Sequence, residues 1–337
     1  MLKLWLLGIV LACLVSCQSQ EAFDTKETRF LLGTIVEFTV FQRDEDLALQ
    51  AIQQAVQTIQ EVEKQFTIHG IVSNSVQAFN RAKVDEKVRL DAEVEQLLLQ
   101  SISIHHQTEG AFDPTLGELN QQWGFSSDNK PTHPLDLETV KNALWKSGVS
   151  HIQGYKNQAW SKKTEGLKLD FGAIAKGLAL DKGIDALKRA GINHAIINAG
   201  GDMRILGDHG GKPWKVGIRH PRLTHPLGWL PVSEDVSIVT SGDYERYFMH
   251  KGIRYHHIID PSSGMPSSMS MSVTVSASSA AFADALSTAM FILGYEKGLP
   301  LIENMDGIEA LWVDAKQQIH MSSGMQSWLN LEQNKKP

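Results

Sequence analysis

Residues 167–177, Leu-Lys-Leu-Asp-Phe-Gly-Ala-Ile-Ala-Lys-Gly, constrain this 337-residue chain more than any other stretch. Leu167, Leu169 and Phe171 alternate as on a half-buried strand. Leu180, Ile184 and Leu187 then follow at helical spacing until Gly191 stops the helix. A strand end therefore runs straight into a helix start. Gly172, Ala173, Ala175 and Gly177 are small enough for a ligand to approach the backbone, and the first helical N–H groups have no partners of their own. Such a place suits a phosphate. Lys176 adds a point charge for it, and Asp170 can hold an N–H or hydroxyl of whatever the phosphate carries. The same residues also fit an ordinary corner with a surface lysine, and the rest of the chain has to decide between the two.

The net charge of -6 provides no basic footprint, so nucleic acid is not an expected partner. Leu4 to Val15 is an apolar run behind Lys3, short of the roughly 20 residues that span a bilayer, and residues 1–16 read as a signal peptide. Leu14-Val15-Ser16-Cys17 resembles the lipobox of bacterial lipoproteins, which makes Cys17 the expected lipidated N-terminus; the alternative is a plain signal peptide with an incidental cysteine. Cys13 would leave with the leader. No disulfide remains, so packing must hold the fold. Gln18 after the cysteine leans toward outer-membrane sorting. The expected layout is a tether over 17–28, a single domain over 29–332 and a polar tail over 333–337.

From Phe30 to Phe41 the chain alternates as one long strand, with Phe30, Leu32, Val36, Phe38 and Val40 on one face and Gly33 interrupting. Asp44 caps a helix with the stripe Leu49, Ile52, Val56, Ile59, Val62 and Phe66, and Asp91 starts another that carries His105. His105 and His106 are adjacent and face different ways, so they are read as structural. Gly110-Ala111-Phe112-Asp113-Pro114-Thr115 ends that helix. It presents an aromatic and an exposed carboxylate that could grip a planar heterocycle, or it is merely a turn. Residues 126–134 read as a surface loop, and Asp136 starts a further helix stopped at Gly148.

Ala195-Ile196-Ile197 leads into Asn198-Ala199-Gly200-Gly201-Asp202, a tight turn. With the preceding bend and helix it reads as one strand-helix-strand unit, without the Gly-x-Gly-x-x-Gly of a Rossmann site. Strands then dominate at 214–219, 237–240, 254–259 and 272–277, with turns at Gly242 and Gly252. Tyr255-His256-His257-Ile258-Ile259-Asp260-Pro261 puts only one histidine toward any given site, beside a turn aspartate. Asp284 and Thr288 lie four apart on a helix face, an oxygen-only pair that Mg2+ accepts beside substrate phosphate, or a pair of caps.

Together these segments resemble the ApbE family of flavin transferases, bacterial lipoproteins that move FMN from FAD onto a threonine or serine of a target protein and release AMP. The likeness runs in order through Leu32-Gly33-Thr34, Gly110 to Thr115 with Trp123-Gly124-Phe125, Leu169 to Gly177, Asn198 to Asp202, Thr240 to Tyr244, His256 to Pro261 and Ala283 to Thr288. The resemblance implies an α+β fold with a T-fold-like core, mostly antiparallel sheets and packed helices, in two interlocked lobes with the flavin between them. It also implies FAD contacts at Leu32, Ala111, Phe112, Asp113, Asp170, Lys176 and Ile258, with His69 at the flavin-stacking position. Mg2+ would sit at the Ala173 carbonyl, Asp284 and Thr288. Ser287 stands where some relatives carry a carboxylate, and Ser262-Ser263 departs from the usual Arg-Thr.

On that reading His257 accepts the proton of the attacking hydroxyl, with Asp260 orienting its loop; His256 stays open as the acceptor. The implied partners are FAD and a threonine-bearing acceptor, a membrane respiratory subunit reached from the lipid anchor on the periplasmic side. Two rivals share the pocket: an FAD pyrophosphatase giving FMN and AMP, and a non-catalytic flavin-binding lipoprotein. Mass spectrometry of the mature protein should find lipidated Cys17 at its N-terminus; an unlipidated N-terminus elsewhere removes the anchor.

Overall fold

The computed structural model describes residues 21–70, 73–125 and 131–332; the leader, Cys17, residues 126–130 of the expected surface loop and the tail at 333–337 lie outside it. Strands Phe23–Leu31 and Thr34–Gln42 pair antiparallel in a hairpin. At its tip Leu32 (φ 55°) and Gly33 (φ 69°) are both left-handed, the turn geometry that matches the twist of paired strands. The expected single strand from Phe30 is thus folded back at Gly33, and residues 23–28, expected as tether, belong to its first strand. Alternation alone does not distinguish one strand from two joined by a two-residue turn. Val36, Phe38 and Val40 are buried as read, but Phe30, paired with Ile35, is exposed.

The hairpin forms one edge of an eight-stranded sheet that continues through Ala195–Ala199, Asp202–Leu206, Val236–Gly242, Ser270–Ala277, Glu309–Asp314 and Ile319–Met321. Every neighbouring pair in it is antiparallel, the α+β character expected from the sequence. Helices Glu45–Phe66, Ala175–Arg189 and Ala280–Glu303 cover one face. Against the other, Val216, Ile218, Leu230 and Val232 of a small three-stranded sheet pack on Ile205, Ile238, Leu311 and Val313. A satellite core around Trp123, Leu119 and Phe248 backs the separate hairpin Tyr247–His250 and Ile253–His256. Gly242 is the last residue of its strand, directly before the turn at 243–244, and Gly252 (φ 79°) turns this hairpin. Among the described residues no helix is long and apolar enough to cross a membrane.

Asp44 caps the first long helix by accepting from Leu47 N at 3.0 Å, and Ile52, Val56, Ile59, Val62 and Phe66 are buried; Leu49 falls on the rim and is exposed. Asp136 caps its helix in the same way. Asp91 precedes a helix without bonding its N–H groups and accepts instead from the Ser75 hydroxyl.

The bend at 167–171 departs from the sequence reading. Leu167, Leu169 and Phe171 are buried, but the segment joins no sheet. On one side Asn80 Oδ1 accepts from Leu169 N at 2.7 Å and Asn80 Nδ2 donates to Leu169 O at 2.9 Å, and on the other Lys168 makes a single parallel bridge to Leu116, with Gly117 N donating to Lys168 O at 3.0 Å. The expected strand-helix-strand crossover is therefore absent: the Asn80 amide and a one-residue bridge to Leu116 satisfy the backbone here in place of a sheet.

The helix that follows is bolted to the start of Ala280–Glu303. Asp181 accepts from Ser279 Oγ (2.9 Å), Ala280 N (2.9 Å) and Ala281 N (3.0 Å), and from Arg204 Nε (3.0 Å). A Cβ on Gly177 would lie 2.1 Å from the Ala280 carbonyl oxygen, so the two backbones meet without room for a side chain. Asp181→Ala leaves Ala280 N and Ala281 N without their acceptor, with Ser279 still capping Phe282 N, and removes the ion pair of Arg204. Its expected cost is about 1–3 kcal/mol, read as a lower urea midpoint at unchanged m-value.

Candidate active site

The bend and the Gly110–Thr115 loop hold each other. Asp170 N donates to Pro114 O at 2.9 Å. One Asp170 carboxylate oxygen accepts from Gly172 N at 2.9 Å and the other from Asn120 Nδ2 at 2.8 Å. His105 Nδ1 lies 2.9 Å from the Phe112 carbonyl, so this histidine braces the loop, the structural role expected of it. Ala111 and Phe112 are buried. The Asp113 carboxylate is not exposed as expected. It turns inward to accept from Thr115 N (2.8 Å) and Thr115 Oγ1 (2.5 Å), because the residue before a proline is held extended and its side chain then reaches two residues ahead.

Lys176 forms an ion pair with Asp202, the first residue after the Gly200–Gly201 turn. Burial alone would lower the Lys176 ammonium, but Asp202 and Asp284 outweigh it and hold the group above its ordinary value. Burial pushes the Asp284 carboxyl up to about 7, with Lys176 pulling the other way. Asp284 accepts from Gly177 N at 3.0 Å. Gly177 lies in the first helical turn, where N–H groups have no carbonyl of their own helix to meet, and the Asp284 carboxylate supplies the acceptor. Ser241 Oγ, at the end of a sheet strand, lies 2.8 Å from Ser287 Oγ and 3.3 Å from Thr288 Oγ1.

Among the described residues no cluster of three or more His, Cys, Asp or Glu could hold a metal ion. The set here is of another kind: the buried Asp284 carboxylate, the Ala173 backbone carbonyl ahead of the helix, and the Thr288 hydroxyl. A hard divalent cation accepts all three, and the buried carboxylate gains from the opposite charge, so these residues fit Mg2+.

The two histidines separate cleanly. His256 is buried, with Nε2 2.8 Å from Ser267 O and Nδ1 accepting from Ile258 N at 3.3 Å, so both ring nitrogens are engaged. His257 Nδ1 is buried without a hydrogen-bond partner among the described residues. Burial, then the Arg246 charge, lowers His257 to about 3 and keeps its ring neutral. Its N–H donates to the Arg246 carbonyl at 3.1 Å, while the Arg246 guanidinium lies 3.7 Å from where a Cβ on Gly33 would stand. Leu32, beside that glycine, is fixed by Leu32 N donating to Glu63 Oε1 at 3.0 Å. Ile258 is buried, and Asp260 accepts from Ser262 N and from both serine hydroxyls, holding the turn after His257.

Lys176, Asp284 and Thr288 thus gather where two helix starts meet the sheet end, with Ala173 just ahead of one of them, while His257 and the Leu32–Gly33 turn both border Arg246. Asp170 and the 111–113 loop form the adjoining wall. His69 is exposed; its backbone carbonyl, which accepts from Gln77 Nε2 at 3.3 Å, ties it to its own loop rather than to these groups. Asp202, Asp181, Asn80, Asn120 and Arg246 carried no role in the sequence reading. Only Asp202 had a signal, as the one carboxylate directly after paired glycines.

The sequence pattern of the ApbE family matches residues 32–312. The chain belongs to the ApbE family. An ApbE relative from Rhodobacter capsulatus, a FAD:protein FMN transferase, is 32% identical over 305 residues, covering 90% of this chain and 58% of its own length. The FAD:protein FMN transferase of Treponema pallidum is 30% identical over 345 residues, covering 95% and 94%. The crystal structure of the ApbE protein from Thermotoga maritima has a TM-score of 0.85 at 31% identity, covering 91% of this chain and 100% of that one.

A neutral buried His257 has a consequence for stability. Its native value lies below the ordinary 6.5, so below pH 6.5 the unfolded chain binds the extra proton and stability falls as pH drops toward 3. His257→Gln should lose less stability than the parent between pH 6.5 and 4 in urea titrations. Parallel curves for the two proteins would contradict this burial.

Proposed function

We propose that this ApbE-family chain transfers FMN from FAD to a threonine or serine hydroxyl of a target protein, releasing AMP, with Mg2+ present and from a lipid anchor at Cys17 on the periplasmic side. What carries the reading is the junction of the two helix starts, which places Lys176, Asp284 and Thr288 around one point, with the neutral His257 bordering Arg246.

The reaction joins a side-chain oxygen to the flavin-side phosphorus while the phosphorus–oxygen bond to AMP breaks, AMP leaving with the electron pair. Two phosphates repel an incoming oxygen, so neutralising and aligning them is the main task. Lys176, held cationic by Asp202, is the fixed positive charge for that purpose. Ala173, Asp284 and Thr288 would hold Mg2+, which when bound supplies further positive charge to the phosphates. The neutral His257 ring accepts the hydroxyl proton, while Asp260 keeps the 260–264 turn in place. The Ala111–Asp113 loop, Asp170 and Ile258 would hold the rest of the dinucleotide. A membrane respiratory subunit suits as acceptor, since tethering raises the effective concentration of a target on the same surface.

Incubation with FAD, Mg2+ and a threonine peptide, followed by in-gel flavin fluorescence, should give a covalently flavinylated peptide and one AMP per transfer. AMP release without acceptor would point to hydrolysis, and metal-independent binding without AMP to a carrier. Asp284→Ala should abolish Mg2+-dependent transfer. His257→Ala should lower single-turnover transfer by about 100-fold or more while FAD still binds; an unchanged rate would remove the histidine from the mechanism.

A further inference from the structure

Lys162 is a buried lysine that the proposed chemistry does not use. It ends the strand Ala159–Lys162 and is 3% exposed. Its Nζ donates to two backbone carbonyls, Asn80 O at 2.9 Å and Leu167 O at 3.0 Å. Placing an amine away from water costs stability, so what those carbonyls hold has to justify the position. Asn80 lies in the last turn of the helix Ser75–Arg81, where carbonyls lack a helical donor, and Lys162 supplies one.

The Asn80 side chain in turn serves the bend. An amide head carries an acceptor and a donor side by side, as a peptide group does, and this one takes both backbone groups of Leu169. Leu167 and Leu169 are fully buried, so removing Asn80 or Lys162 strips partners from backbone groups that water does not reach. Lys162, Asn80 and Leu169 thus form a chain of contacts that ends at Asp170, which the transferase reading assigns to FAD. Asp170 itself is then set by Pro114 O, Gly172 N and Asn120 Nδ2.

The metal half of the site is held by other residues. Asp181 ties its helix to Ser279, Ala280 and Ala281, and Gly177 N donates to Asp284 across the same junction. None of these bonds involves Asn80 or Lys162, so separate devices position the two halves.

We infer that Asn80, braced by Lys162, is a positioning residue for FAD binding: it fixes the wall that carries Asp170, while turnover at saturation depends on the separately clamped Lys176, Asp284 and Thr288. This rests on the transferase reading above.

The test uses the full chain with FAD, Mg2+ and the threonine peptide. Asn80→Leu and Lys162→Met should each weaken FAD binding, read by titration of flavin fluorescence, and raise the KM for FAD about tenfold, with kcat within about twofold of the parent. Asn80→Asp keeps the acceptor for Leu169 N and gives up the donor; it should raise KM about threefold and serves if Asn80→Leu does not fold. Asp44→Ala is the stability control, since it removes a helix cap that touches none of these residues; it should lower the urea midpoint and leave KM unchanged. An equal loss of affinity in Asp44→Ala, an unchanged KM in the Asn80 and Lys162 variants, or a kcat that falls as far as KM rises overturns the positioning role. Each of those results leaves the transferase reading in place, because the parent still yields flavinylated peptide. A parent that yields none overturns that reading, and the positioning role with it.

Discussion

Everything at the candidate site hangs on how closely two helix starts approach. Asp181 reaches from one helix to take three hydrogen-bond donors at the start of the other, and it does so next to Gly177, whose missing side chain lets the backbones touch. A carboxylate at a helix start is favourable both as a cap and against the helix dipole, so the crossing is held by charge as well as by packing. The Asp284 carboxylate then takes the Gly177 N–H across the same junction, a first-turn donor that the helix itself cannot satisfy. One close approach thus aligns Lys176 and builds the oxygen set around Asp284.

Burial gives those groups their chemistry. Asp284 is raised and His257 lowered for the same reason, the cost of placing charge away from water, with opposite sign for an acid and a base. Lys176 keeps its charge because Asp202 sits against it. The site therefore holds a neutral base, a fixed cation and a carboxylate in want of positive charge, and an anionic dinucleotide with a divalent cation satisfies all three. The supporting bonds are local and rigid: Asn80 brackets Leu169, Asn120 and Gly172 grip Asp170, and His105 braces the neighbouring loop.

Much of this was legible beforehand where one residue reports one physical fact. Asp44 and Asp136 marked helix starts because a cap acts within its own turn. Buried positions were read correctly at Val36, Phe38, Val40, Leu167, Leu169 and Phe171, since alternation reports burial. It does not report what pairs with the backbone. Hence the hairpin at Leu32–Gly33 was read as one strand, and a segment held by Asn80 as part of a crossover. Asp113 was read as an exposed carboxylate, although the N–H and hydroxyl of Thr115 two residues on turn it inward.

From the residues alone came the identity of the chemical groups: small residues beside Lys176, a carboxylate and hydroxyl four apart at Asp284 and Thr288, and a histidine pair of which only one could serve. Those are properties of composition and spacing, which short-range geometry preserves. The choice of His257 over His256, the partnership of Lys176 with Asp202 and the clamp at Asp181 required the tertiary structure. Each depends on which distant backbone atoms arrive nearby and which are shielded from water, and no local pattern in the chain encodes that.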